Sequence, residues 1–136
     1  LAPATVKIQH MMDKKKRILV IDDDLRLRDL LKRYLSEQSY AVQTVADATA
    51  MRRLMTRENF DLLVLDLMLP GVDGLTLLRQ LRDSGDDLAV VMLTAKSTRE
   101  AVLKGLAGGA DGYITKPFEV DVLMKALRAV LGLPQP

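Results

Sequence analysis

The sequence predicts an α/β fold built on a doubly wound, five-stranded parallel sheet in the order 2-1-3-4-5, with helices on both faces. Five short apolar runs alternate along the chain with five segments whose apolar residues recur at helical spacing. One run, Leu62-Leu63-Val64-Leu65, is apolar at every position, as is typical of a strand buried on both faces. Strands that alternate with helices are joined by crossovers, which makes the sheet parallel.

The five strands follow from these apolar runs. They are predicted at Arg17 to Ile21, Ala41 to Val45, Asp61 to Asp66, Leu88 to Leu93 and Asp111 to Thr115. The second run is the weakest, because Gln43 and Thr44 suit an edge strand better than a central one.

The first helix is predicted from a stripe at spacing i, i+3, i+4, i+7, i+8, formed by Leu27, Leu30, Leu31, Tyr34 and Leu35. Asp47 can cap the second helix, in which Met51, Leu54 and Met55 face inward. The third helix opens at Gly74, with a stripe of Leu77, Leu78 and Leu81.

The fourth helix is predicted over residues 98–107 and is the weakest by propensity, since Gly105 lies inside it and Gly108-Gly109 follow. The last helix is predicted from Glu119 to Leu131. Its core face comprises Val120, Leu123, Met124, Leu127 and Leu131.

Length and composition bound the class of protein. A chain of 136 residues suits one domain, and the absence of cysteine excludes disulfides, thiolate metal sites and a cysteine nucleophile. No apolar run approaches the roughly 18 residues of a membrane span, and no signal-peptide pattern is present. We therefore expect a cytoplasmic domain with no membrane partner.

The basic character of the chain comes from its first 16 residues. These hold four of the 20 basic and one of the 18 acidic residues, so the remainder carries 16 basic and 17 acidic residues, a net charge of −1. A near-neutral domain of this kind does not attract nucleic acid by its overall charge. The basic run Lys14 to Arg17 is interpreted as a solvated lead-in.

The two ends are predicted to lie outside the fold. Residues 1–12 lack a starting Met and contain His10-Met11, which resembles a cloning junction, so they are interpreted as a vector-derived leader; a genuine extension is the alternative. His10, the single histidine, is then no catalytic base. Residues 13–132 form the predicted domain, and residues 133–136 begin a linker or end the expressed segment.

Polar residues follow four of the five strands, namely Asp22-Asp23, Asp66, Thr94 and Lys116. Parallel strands bring their carboxyl ends to one edge of the sheet, so we expect these side chains to converge. Three carboxylates in close proximity repel one another unless a cation compensates them, and an all-oxygen site suits Mg²⁺.

The same residues suit phosphoryl chemistry. Lys116 supplies a positive charge and Thr94 a hydroxyl donor, both able to stabilise oxygens of a transferring phosphoryl group. Asp66 is the natural nucleophile for an aspartyl phosphate. Each residue alone has an ordinary structural explanation, as a helix cap or a solvated charge, and only their joint occurrence is specific.

From Lys16 to about Leu131 the chain resembles the receiver domain of two-component response regulators, in its OmpR-like branch. The stretches KRILVIDDDLRLRDLLKRYLSEQ and DLLVLDLMLPGVDGL carry the resemblance. It implies a flavodoxin-like or CheY-like fold and a phosphoacceptor, Asp66, that receives its phosphoryl group from a sensor histidine kinase. Such a domain is not an enzyme, although it assists its own phosphotransfer and autodephosphorylation.

The resemblance also assigns individual roles. Asp23 and Asp66 would ligate Mg²⁺ directly, with the Met68 backbone carbonyl as a further ligand and Asp22 acting through water. Thr94 and Lys116 would hold the phosphoryl oxygens. Pro117 would follow a cis peptide bond.

A switch is implied as well. Thr94 would move toward the phosphoryl group and Tyr113 would turn inward behind it, remodelling the face formed by helix 4, strand 5 and helix 5. The alternative for Tyr113 is an ordinary half-buried aromatic residue. The output would be transcription, through a DNA-binding domain absent from this chain; a stand-alone receiver is the alternative.

The same face departs from the family where OmpR-like receivers tend to carry charged dimer contacts. This chain keeps Asp111 but has apolar or small residues at five positions: Val102, Ala107, Gly112, Val122 and Ala126. Homodimerisation on phosphorylation remains an expectation, but an OmpR-type interface is in doubt because its charged partners are missing.

Two other function classes compete with this interpretation. A pseudo-receiver would dock partners without phosphate and would show a degraded acidic pocket, whereas here every pocket residue is present. A haloacid-dehalogenase-type phosphatase would need a second Asp two residues after Asp66, where this chain has Met68.

Overall fold

The five predicted strands form one parallel sheet in the computed structural model of the protein, which describes residues 15–135. The sheet order is β2-β1-β3-β4-β5, so the predicted topology is confirmed. The elements in chain order are β1 (Arg17–Ile21), α1 (Leu25–Glu37), β2 (Ala41–Val45), α2 (Ala48–Met55), β3 (Leu62–Leu65), α3 (Gly74–Asp83), β4 (Ala89–Thr94), α4 (Arg99–Ala107), β5 (Gly112–Thr115) and α5 (Val120–Leu131).

The core lies on both faces of the sheet. Alternate residues of a strand point to opposite faces, and in β1 Ile18 and Val20 join a cluster with α1 and α5, while Leu19 and Ile21 join one with α2 and α3. Both clusters are buried, which explains why β3 and the part of β1 after Arg17 are continuous apolar runs. The edge position predicted for β2 is confirmed.

The predicted inward position of Leu30 is wrong, because its side chain is 42% exposed. Successive residues of a helix are about 100° apart, and the buried stripe of α1 is centred on Leu31 and Leu35. Leu30 therefore lies beyond the edge of that stripe.

Side-chain caps begin four of the five helices among the described residues. Asp24, Asp47, Asp73 and Thr98 each accept hydrogen bonds from backbone N–H groups of the first helical turn, and the predicted cap at Asp47 is confirmed. Glu119 precedes α5 without such a bond. These caps fix the places where the helices that follow β1, β2, β3 and β4 begin.

The interpretation of residues 1–12, including His10, falls outside the described residues. Within residues 15–135, none of the helices combines the length and apolar character that a membrane span requires.

Candidate functional site

The register of the sheet brings two predicted site residues together. Ile21 pairs with Leu65, so Asp22 and Asp66, each following its strand, are neighbours at the carboxyl edge of the sheet. Their exposed fractions are only 2% and 5%, whereas Asp23 is exposed. One carboxylate oxygen from each of the three residues lies within 4.8 Å of the others. The structure therefore forms the acidic cluster that strand order alone had suggested.

Lys116 joins this cluster from the end of β5. Its Nζ donates hydrogen bonds to Asp22 Oδ2 at 2.7 Å and to Asp66 Oδ2 at 3.1 Å, and the Lys116–Pro117 peptide bond is cis. Burial lowers the pKa of Lys116, but hydrogen bonds to the two carboxylates outweigh that effect, so its pKa lies above the usual value. The lysine is therefore a permanent cation at neutral pH.

The pKa of Asp22 is raised, chiefly because burial penalises the ionised carboxylate. The hydrogen bond from Lys116 opposes this effect, and the charge of Asp66 adds to it. The cluster holds three carboxylates and one ammonium group, which binds two of them, so it is short of positive charge.

Backbone N–H groups orient two of the carboxylates. Asp24 N donates to Asp22 Oδ1 and Met68 N donates to Asp66 Oδ1, both at 2.9 Å. In each case the donor lies two residues after the aspartate, in the local turn that ends the strand. Asp23 accepts no side-chain hydrogen bond from the described residues, which leaves its carboxylate free to bind a cation.

Thr94 and Tyr113 are linked through the backbone of Lys96. The fully buried Thr94 Oγ1 accepts from Lys96 N at 3.3 Å, and the Tyr113 hydroxyl donates to the Lys96 carbonyl at 2.6 Å. Burial raises the pKa of Tyr113, with a smaller contribution from the charge of Asp66. Tyr113 is thus more than an isolated half-buried aromatic residue, because it bridges β5 and the β4–α4 loop.

Sequence reasoning missed the roles that two residues have in shaping the site. Arg28 Nη1 donates to the Asp22 carbonyl at 2.7 Å, and its position one helical turn after the cap Asp24 was the available signal. Gly74 begins α3 directly against the chain that follows β3: its N–H donates to the Leu67 carbonyl at 2.8 Å, and a Cβ there would collide with the Asp66 carbonyl.

The donor set fits a hard divalent cation. All the ligand atoms in the cluster are carboxylate oxygens, and residues 15–135 contain neither cysteine nor histidine. A divalent ion would also offset the charge that Lys116 leaves uncompensated.

Residues 18–128 match the family model described as the response regulator receiver domain. The chain belongs to this family. The OmpR-like resemblance is confirmed as well, since a response regulator of Thermotoga maritima called DrrB and described as an OmpR/PhoB homolog matches with a TM-score of 0.78 and 33% identity, over 87% of this chain and 53% of that one.

Two further similarities support the assignment to the receiver family. Response regulator MprA of Mycobacterium leprae is 42% identical over 120 residues, which are 88% of this chain and 53% of MprA. The non-phosphorylated HemR receiver domain of Leptospira biflexa matches with a TM-score of 0.81 and 34% identity, over 90% of this chain and 98% of that domain. The receiver spans about half the length of the curated relatives it matches.

Proposed function

We propose that this receiver accepts a phosphoryl group on Asp66 from a phosphohistidine of a sensor histidine kinase, in a Mg²⁺-dependent reaction. The observation that carries the proposal is the buried Asp66 carboxylate, held by Lys116 and the Met68 N–H at the centre of an acidic cluster. Membership of the receiver family supplies the reaction class.

The transfer needs little covalent chemistry from the protein. An Asp66 oxygen attacks phosphorus, a P–O bond forms, and the P–N bond to the histidine breaks. Its electron pair returns to an imidazole that carries a proton on the other nitrogen and so leaves neutral. Positioning and electrostatic stabilisation provide the catalysis.

Two groups are ready to hold the phosphoryl oxygens. Lys116 uses two of its three N–H donors on Asp22 and Asp66, which leaves a third for a phosphoryl oxygen. Thr94 Oγ1 accepts from Lys96 N, so its own hydroxyl hydrogen remains available as a donor.

The cation site would comprise Asp23 and Asp66 as direct ligands, Asp22 through water, and the Met68 backbone carbonyl. Bound Mg²⁺ would supply neutralisation of charge on the phosphoryl oxygens. Asp23 is suited to this role because it is the exposed member of the cluster.

The domain is a signalling module that assists its own phosphotransfer and autodephosphorylation. The bonds that link Thr94, Lys96 and Tyr113 would carry the state of Asp66 to the face formed by α4, β5 and α5. That face would control transcription through a DNA-binding domain outside this chain. Phosphorylation would favour homodimers, without the charged contacts typical of OmpR-like receivers.

The decisive measurement is intact-protein mass after incubation with acetyl phosphate, with and without Mg²⁺. We expect one added phosphate on the wild type, none without Mg²⁺ and none on Asp66→Ala. Asp61→Ala is the matched control, because Asp61 flanks the other end of β3 and should leave phosphorylation unchanged. An unmodified wild type under every condition would overturn the proposal and favour the pseudo-receiver that docks partners without phosphate.

A further inference from the structure

Arg28 stabilises the turn that presents the acidic cluster, although its side chain contacts none of the carboxylates by a hydrogen bond. It lies on the first turn of α1, half-buried, and its Nη1 donates to the Asp22 backbone carbonyl at 2.7 Å. The bond spans six residues, from the helix back to the end of β1.

The other bonds of this turn show what Arg28 adds. Asp22 N donates to the Val45 carbonyl at 3.2 Å, and Asp24 N donates to Asp22 Oδ1 at 2.9 Å. With the Arg28 bond, hydrogen bonds hold three groups of Asp22: its backbone N–H, its backbone carbonyl and one carboxylate oxygen.

Asp23 has no such support. It is exposed, and no described residue donates a hydrogen bond to its carboxylate, so the direction of its side chain depends on the backbone on either side. The Asp22 carbonyl belongs to the peptide unit that enters Asp23. A guanidinium bound to that carbonyl therefore fixes the orientation of the peptide that carries the cation ligand.

We infer that Arg28 is a positioning residue for the cation site, acting through the Asp22 carbonyl to hold Asp23 in place for Mg²⁺. The inference depends on the proposed function, because it requires Mg²⁺ to bind at this cluster. Removing a group that orients a metal ligand typically weakens metal binding about 10- to 100-fold.

The sign of the effect separates positioning from charge. An arginine beside an acidic site repels a cation, so losing only its charge would strengthen Mg²⁺ binding. Losing its positioning bond would weaken binding. The two explanations predict opposite changes in Kd.

The test is a titration of the full chain with MgCl₂, followed by amide NMR shifts, for the wild type, Arg28→Met and Arg26→Met. Methionine keeps the aliphatic part of the side chain and removes the guanidinium. Arg26 is the matched control: it carries the same charge in the same turn and is exposed, and its guanidinium donates no hydrogen bond to any of the described residues, whereas its backbone N–H donates to Asp24.

We expect Arg28→Met to weaken Mg²⁺ binding about tenfold or more, and Arg26→Met to leave it unchanged or slightly stronger. Hydrogen exchange should speed up at the Asp24 amide in Arg28→Met and stay slow at Leu63 in the core, which excludes general unfolding. Equal or tighter binding by Arg28→Met would overturn the inference while leaving the proposed function intact. A wild type that binds no Mg²⁺ would instead contradict the proposed function itself.

Discussion

Replacing Lys116 with methionine should destabilise the protein at pH 7, because two buried carboxylates lose the cation they share. Asp22 and Asp66 are 2% and 5% exposed, and Lys116 Nζ donates to both. Removing one partner of a buried ion pair costs about 3–5 kcal/mol. The lysine side chain is itself 23% exposed, which favours the lower end of that range.

A loss of about 3 kcal/mol corresponds to a fall of about 1.5 M in the urea midpoint, for a slope of about 2 kcal/mol/M. The assay is equilibrium urea unfolding at pH 7 without divalent cations. Lys104→Met is the matched control, because Lys104 forms an exposed ion pair with Glu100 one helical turn away. That change should cost no more than about 0.5 kcal/mol.

The loss of stability caused by Lys116→Met should become smaller as the pH falls. The pKa of Asp22 lies above its usual value in the folded wild type, so its ionised form opposes folding at neutral pH. That cost decreases as pH falls through the folded pKa and is gone once pH is below the usual value. Loss of Lys116 raises this pKa further, since the lysine lowers it. The difference between variant and wild type should therefore shrink between pH 7 and pH 4.

Mg²⁺ should also reduce the deficit, because the variant cluster has one positive charge fewer and should bind the cation more tightly than the wild type does. A ligand at about 100 times its Kd stabilises the folded state by about 2.7 kcal/mol. An unchanged midpoint for Lys116→Met at pH 7 would refute the reasoning. So would a deficit that stays the same between pH 7 and pH 4.

Three further changes have definite expected effects on the free energy of unfolding. Arg82→Ala should cost about 2–4 kcal/mol, since the guanidinium donates to the Gly109 carbonyl and to two other backbone carbonyls. These hydrogen bonds join the loop after α3 to the loop after α4. Gly74→Ala should destabilise the protein and weaken Mg²⁺ binding, because the new methyl group collides with the Asp66 carbonyl. Tyr40→Phe should be neutral or stabilising by about 1 kcal/mol, since its buried hydroxyl has no hydrogen-bond partner among the described residues.

Urea unfolding measures all three, the first two against matched controls. Arg79→Ala removes an exposed arginine from the same helix and should be nearly neutral. Gly112→Ala should be tolerated, since its Cβ would meet Val91 at an ordinary 3.5 Å. A neutral Arg82→Ala, a harmless Gly74→Ala or a strongly destabilised Tyr40→Phe would each contradict the contact from which it was predicted.

The topology was predictable because each strand can be recognised from its own residues. The apolar run at Leu62–Leu65 and the polar residues that follow four of the strands need no tertiary information, and together they place Asp22 and Asp66 at one edge. The sequence-based predictions were wrong where the hydrophobic pattern marks no sharp boundary. Leu30 fits a helical spacing but lies outside the buried stripe, and β3 is shorter by one residue at each end than predicted.

Contacts between loops could not be predicted in the same way. Lys116 binds Asp22 and Asp66 at once, and Tyr113 reaches the Lys96 carbonyl. Both arrangements depend on the relative positions of separate turns in the folded chain. No periodicity in the sequence encodes such distances. Sequence reasoning could name the groups of the site, but the sharing of one ammonium by two carboxylates required the structure.

Gly105 shows how a local weakness in the sequence becomes a packing requirement in the structure. A glycine inside α4 costs about 1 kcal/mol relative to alanine, which is why this helix is the weakest by propensity. In the structure Gly105 is buried, and a Cβ there would lie 3.0 Å from two carbon atoms of the Tyr113 ring. The glycine therefore lets α4 pack directly on the ring whose hydroxyl binds the Lys96 carbonyl. If the proposed switch moves the β4–α4 loop, we expect a helix held by that contact more than by its own propensity to respond readily, since segments that change conformation come from the less stable parts of a fold.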